Sequence, residues 1–155
     1  MNEGETEFVR KLRDWLKGNR GKLKGKEIFL LRNLARKGVG FFETSGFYPD
    51  FIMWIKNGDK QTMSFIDPHG LEHTRSFDDD KVALHKTIKE IEQELKKNKK
   101  CPNIKLESLI LSVSDYDKVK GSWREPNIPK EEFEQNHVLF MKDATVGDKV
   151  FQALL

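Results

Sequence analysis

Residues 46–70 read GFYPDFIMWIKNGDKQTMSFIDPHG, and this stretch decides the fold. Two apolar-rich runs, 47–56 and 60–67, flank Asn57-Gly58, a dipeptide suited to the positive φ of a tight turn, so the segment reads as a β-hairpin. The first run is apolar on both faces, which places it inside a sheet between two layers; Gln61, Thr62 and Ser64 make the second more polar. Hairpin geometry also places the acidic residues. A two-residue turn at Asn57-Gly58 sets Asp50 opposite Phe65 with Asp67 as its diagonal neighbour, and a four-residue turn over 57–60 sets Asp50 directly opposite Asp67. Either even loop points both carboxylates one way, at the rim of a floor made of Ile52, Trp54, Met63 and Phe65.

Upstream, Phe8, Leu12, Trp15 and Leu16 form the apolar stripe of a helix over about 5–17, stopped by Gly18-Asn19. Residues 27–33 (EIFLLRN) fit a strand or a helix equally, and 38–43 (GVGFFE) fit a short strand. Downstream, Asp78-Asp79-Asp80 open a helix with the stripe Leu84, Ile88, Ile91 and Leu95, ending near Lys97 ahead of Pro102. Residues 104–113 read as a strand, 114–135 as polar loop, 137–141 as a further strand and 146–155 as a short terminal helix. The order α, β, β, β, α, β, then β and α describes an α/β (mixed α+β sheet) protein with helices flanking a central sheet. It is expected as one domain over 1–155, with a core at about 5–115 and a C-terminal extension at about 116–155.

A chain of 155 residues suits one domain, and 37% apolar, 34% charged and 10% aromatic residues exclude disorder. No apolar run approaches the ~18 residues of a membrane span, so no membrane partner is expected. Residues 1–13 read acidic, then amphipathic, unlike an export signal. Cys101 is the sole cysteine, which excludes an internal disulfide and a multi-cysteine zinc site and fits a reducing, cytoplasmic setting. The net charge of +3 hides a split: residues 1–40 carry 11 Lys/Arg against 5 Asp/Glu, and the rest carry 17 against 20. Arg20, Lys22, Lys24 and Lys26, spaced by Gly21 and Gly25, form a basic loop that reads equally as solvated surface and as a track for phosphates.

Two carboxylates within ~7–8 Å on adjacent strands repel unless a cation or a shared proton relieves them. Oxygen-only ligation suits Mg²⁺ or Mn²⁺, and Mg²⁺ takes one or two carboxylates, leaving its other positions to water and substrate phosphate. Pro68 offers a carbonyl beside Asp67, and His69 returns to the same face if the strand continues. Lys81, in the first turn of the next helix, is a candidate cation. Glu43 and Glu7 are candidate third acids, each with the plain alternative of a surface carboxylate. His69 and His73 at i, i+4 would suit zinc only on a helix, which Pro68 and Gly70 oppose. His85 and His137 read as structural, Trp54, Met63 and Phe65 as core before base-stacking platforms, and Cys101 as an incidental thiol.

These residues resemble the core of the PD-(D/E)XK nucleases, in which the Pro-Asp of one strand and the acid-X-Lys of the next build the active site. The αβββαβ order likewise resembles that superfamily's restriction-endonuclease-like core. Within it, the chain most resembles the nuclease-like domain at the C-terminal end of type III-restriction-like DEAD/DEAH-box helicase polypeptides. The matching pieces are Leu31-Arg32-Asn33, Phe47-Tyr48-Pro49-Asp50 and Asp67-Pro68-His69-Gly70, within about 27–115. The resemblance implies a metal-dependent endonuclease that hydrolyses DNA phosphodiesters in a restriction or helicase system, with a helicase/ATPase domain as companion. It implies Mg²⁺ or Mn²⁺ on Asp50, Asp67 and the Pro68 carbonyl, with His69 where the family has its lysine; for the missing cation this sequence offers Lys81, whose plain alternative is a solvated first-turn lysine. An imidazole of ordinary pKa ~6.5 is mostly neutral at pH 7, and the two neighbouring carboxylates are expected to raise it while a bound metal opposes them. Three readings stay open: an active enzyme with a recruited histidine, a catalytically degenerate nuclease fold that binds DNA or a protein, and a purely structural interaction domain.

Overall fold

The hairpin lies within a five-stranded mixed sheet, seen in a computed structural model that describes residues 1–41, 46–99 and 101–155. In chain order the elements are α1 (Glu3–Gly18), a 3-10 turn (Arg20–Leu23), β1 (Lys26–Arg32), β2 (Phe51–Asn57), β3 (Lys60–His69) and α2 (Asp80–Lys97). They continue with β4 (Ile104–Ser112), α3 (Tyr116–Ser122), α4 (Lys130–Gln135), β5 (Val138–Phe140) and α5 (Val146–Leu154). The strands lie in the order β1-β2-β3-β4-β5. β1, β2 and β3 run antiparallel, whereas β3, β4 and β5 run parallel, with α2 and then α3–α4 as the crossovers that parallel neighbours require. Among the described residues no helix is long and apolar enough to cross a membrane.

Asn57 pairs with Lys60, so the loop is Gly58-Asp59 and not Asn57-Gly58. Gly58 carries the positive φ, +63°, which only the first central residue of such a turn needs, and Asn57 keeps its place in the ladder. The register is the one that aligns Asp50 with Asp67, because Phe51 faces Ile66 in the last β2–β3 pair.

One face of the sheet presents Phe51, Met53, Ile55, Ile66, Leu109, Leu111 and Leu139 to α1 and α5, where Phe8, Leu12, Phe151 and Leu154 close the core. Trp15 of α1 stacks on Phe151 at 3.9 Å and donates a hydrogen bond to Asp148 (2.9 Å). A Cβ on Gly147 would sit 2.4 Å from Trp15 Cδ1, so this close approach needs glycine. On the other face, Ile52, Phe65 and Leu106 pack on Leu84 and Ile88 of α2. The expected α2 stripe is corrected at Ile91, which is 42% exposed; the inward position there belongs to Glu92.

Three further expectations change. Residues 27–33 resolve as a strand, β1, because they pair along the whole of β2. In the expected strand at 38–43, only Phe41 bridges to Phe47, and residues 42–45 lie outside the described residues. The polar loop expected over 114–135 contains α3 and α4, and the supposed extension belongs to the same core. Tyr116, Val119, Trp123 and Phe133 pack there on Ile110, Val138 and Phe140, and β5 extends the sheet.

β5 is short and pairs with residues 110–112, so among the described residues 104–108 of β4 have no strand on that side. Side chains of α2, and His137 just ahead of β5, take its place. Glu92 accepts the Leu106 N–H (2.8 Å), Lys89 donates to the Leu106 carbonyl (2.5 Å), and His137 Nδ1 donates to the Ser108 carbonyl (3.0 Å). Burial pushes the Glu92 carboxyl up, but its bonds from Lys96, the Leu106 N–H and Lys89 outweigh this and bring it down to about 2. A folded pKa below the ordinary 4.5 contributes stability that is present above pH 4.5 and lost as pH falls towards 2. Glu92→Gln is therefore expected to lower stability at pH 7 by ~1–3 kcal/mol and to flatten the loss between pH 4.5 and 2. Denaturant melts across that range check it, and an unaltered acid limb in the variant would contradict it.

Candidate metal centre

Asp50 and Asp67 meet where β2 begins and β3 runs on beside β4 as far as His69, so the strand does continue through Asp67-Pro68-His69. The motif Leu31-Arg32-Asn33 at the end of β1 holds the entry to β2. Asn33 donates through Nδ2 to the carbonyls of Pro49 (2.9 Å) and Val39 (2.7 Å), and its backbone N–H donates to the Asp50 carbonyl (2.8 Å). Arg32 binds Glu5, with Nη2 at 3.1 Å and Nε at 3.2 Å from Oε2. One strand end thus fixes the backbone of Asp50 and anchors a buried acid from α1.

Pro68 sits well in β3 despite lacking an N–H. The His69 carbonyl accepts from the Val113 N–H on the β4 side (3.2 Å), so by strand alternation Pro68 turns its nitrogen and carbonyl to the β2 side, beyond the last β2–β3 pair. Gly4 of α1 comes close to that carbonyl: a Cβ there would lie 3.8 Å from Pro68 O and 2.7 Å from Val113 Cγ1. Lys81 enters from α2, where Asp79 caps the helix by accepting the Lys81 N–H (3.0 Å). Its ammonium lies 3.9 Å from Asp67 Oδ2 and 5.2 Å from the centre of the Phe47 ring.

The Asp50 and Asp67 carboxyls lie close enough to shift each other's ionisation. Burial, then the neighbouring Asp67 carboxyl and its charge, push Asp50 up to about 7. Asp67 is only 4% exposed, and burial raises it too, against the neighbouring Asp50 carboxyl and the Lys81 charge. Its Oδ2 is buried without a hydrogen-bond partner. Glu5 adds a further negative charge felt by both aspartates. The expectation for His69 is reversed: burial and then Lys81 lower its pKa, outweighing the upward pull of Asp50 and Asp79, so the imidazole is neutral at pH 7.

Asp50, Asp67, Pro68, His69 and Lys81 thus come together at one end of the sheet. Glu7 does not join them; it pairs with Lys11 (3.8 Å). Glu43 lies outside the described residues. Glu5, absent from the expected set, is the buried α1 acid whose charge both aspartates feel, though it completes no three-acid group with them. Its signal was in the sequence, since Glu5 precedes Phe8 and Leu12 at i+3 and i+7 and so shares their buried face. Asn2 caps α1 on the Glu5 N–H (2.8 Å), a capping-box spacing that equally marks the first turn.

The basic loop lies elsewhere. Lys26 pairs with Asn57 and Arg32 with Phe51, so Arg20, Lys22, Lys24 and Lys26 sit the length of β1, about 20 Å, from the acid pair. Lys22 is occupied by Asp148 (3.9 Å) and the Trp15 ring (5.9 Å).

Among the described residues no group of three or more His, Cys, Asp and Glu side chains is arranged to hold a metal ion. What this end of the sheet offers is a carboxylate pair, a buried carboxylate oxygen without a hydrogen-bond donor, and the carbonyl of the adjacent Pro68. That set fits a hard cation content with two protein carboxylates and otherwise water, as Mg²⁺ is. Comparison with protein-family models, with curated proteins and with solved structures found no match to this chain.

Proposed function

We propose that this chain is a divalent-metal-dependent DNA endonuclease domain of the PD-(D/E)XK type, working in a restriction or helicase system. The observation that carries the proposal is the buried Asp67, whose Oδ2 lacks a hydrogen-bond partner, in register with Asp50 across the end of the hairpin. A buried carboxylate set beside a half-buried one is costly, and a cation or a shared proton relieves the pair. Asp50 and Asp67 would hold Mg²⁺ or Mn²⁺ with help from the Pro68 carbonyl. Such an ion supplies a water of lowered pKa and neutralises charge developing at phosphorus. Lys81 supplies a fixed positive charge beside Asp67 for a scissile phosphate. Neutral His69 has a lone pair for a water proton, a role the family's lysine does not share. Arg32 and Asn33 hold Glu5 and the Asp50 backbone in place.

The second reading, a degenerate nuclease fold that binds DNA or a protein, is favoured by His69 itself, whose imidazole is held neutral where the family keeps a cation. Plasmid cleavage with Mn²⁺ by the wild type and His69→Lys separates the two. An active enzyme with a recruited histidine loses at least ~10-fold in rate on this change, within the ~10²–10⁴-fold that a positioned acid or base supplies. A degenerate fold is inactive as wild type and gains cleavage. A wild type that neither cleaves nor binds DNA at low salt overturns both.

A further inference from the structure

At the other end of the sheet from the acid pair lies a groove of about 530 Å³ between the start of β4, the β2–β3 hairpin and the last turns of α2. Lys26, Lys60, Lys89, Lys96 and Lys105 line it, with Glu92 as its one acidic side chain. These lysines come from four elements and are far apart in sequence, so no charge run announced them. Three are committed: Lys89 and Lys96 to Glu92 (3.1 and 2.7 Å), and Lys105 to Glu107 (3.4 Å). Lys60 makes no ion pair, and Lys26 donates only to the Lys22 carbonyl (3.1 Å), so among the described residues neither has a carboxylate partner. Gln61, whose Oε1 accepts from Trp54 Nε1 (3.1 Å), keeps its amino group to donate. Leu155, 52% exposed, supplies its apolar surface over the buried Ile55, Ile104 and Leu154.

We propose that this groove binds the phosphate backbone of a DNA strand, as a second contact separate from the acid pair. Unpaired ammonium groups beside an amide donor match phosphodiester oxygens, and an apolar surface suits the sugar between them. The choice of ligand rests on the nuclease reading of the acid pair. The two sites are about 20 Å apart along β3, which equals the rise of about six base pairs of duplex.

The test is a fluorescence-anisotropy titration of a labelled duplex in EDTA, over a series of salt concentrations, so that no cleavage intervenes. Lys26→Ala/Lys60→Ala is expected to bind more weakly and to lower the slope of log K against log salt by about 1.8, at ~0.9 per lost phosphate contact. Lys118→Ala, which removes an exposed lysine of α3 outside both sites, is the control and keeps the wild-type slope. An unchanged slope in the lysine double variant overturns the groove even if Mn²⁺-dependent cleavage persists. A reduced slope with no cleavage keeps the groove and removes the nuclease reading.

Discussion

Phe133→Ala is expected to destabilise the protein by ~3–5 kcal/mol and to lower the melting temperature by about 6–20 °C. Phe133 is fully buried, and the rings of Trp123 (4.7 Å), Phe77 (5.2 Å), Phe140 (5.6 Å) and Tyr116 (6.0 Å) surround it edge-on. Its helix, α4, has six residues, too few to persist without tertiary contacts. Removing the ring therefore costs both the aromatic packing and the hold on α4, which leads the chain into β5. Phe133→Leu, which keeps most of the volume, is expected to cost clearly less. Thermal melts of the two variants check this, and a loss below ~1 kcal/mol for Phe133→Ala would show that the α3–α4 segment is no part of the cooperative core.

Asp67→Asn is expected to abolish Mn²⁺ binding in calorimetry, to reduce any Mn²⁺-dependent cleavage by at least about 10²-fold, and to raise stability by ~1–2 kcal/mol. The opposite signs have one cause. Asp67 is a buried carboxylate with an oxygen that lacks a donor, next to Asp50 and within the field of Glu5. An amide of the same shape removes that charge and gives Asp50 a donor, so the metal-free protein gains what a cation would otherwise supply. Retained Mn²⁺ heat in the variant would remove Asp67 from the site. Stability lost on substitution would show that the Lys81 contact at 3.9 Å outweighs the repulsion.

Whatever rests on local periodicity is legible in the amino-acid sequence. The hairpin, α1, α2, β4 and α5 follow from apolar spacing and turn chemistry within a few residues. The meeting of Asp50 with Asp67 needs only the even parity of the loop, which is why a turn centred one residue too early still places both carboxylates on one face. The remainder is decided by partners distant in the chain. Residues 27–33 become a strand by pairing with β2, and 116–135 include two short helices because Tyr116, Trp123 and Phe133 find a common apolar face.

Charges divide in the same way. Glu5 rather than Glu7 is the α1 acid whose charge reaches the pair, because helix rotation, set by Phe8 and Leu12 against the sheet, turns one inward and the other to Lys11. The His69 pKa moves opposite to expectation because desolvation, a property of everything packed around it, together with Lys81 exceeds the upward pull of Asp50 and Asp79. The sequence by itself determined the strands of the hairpin and the acid pair, since side-chain alternation along a strand is a property of the backbone. Tertiary structure alone decided which acid joins that pair, how its neighbours titrate and where the lysines gather, because burial and proximity are set by contacts between distant parts of the chain.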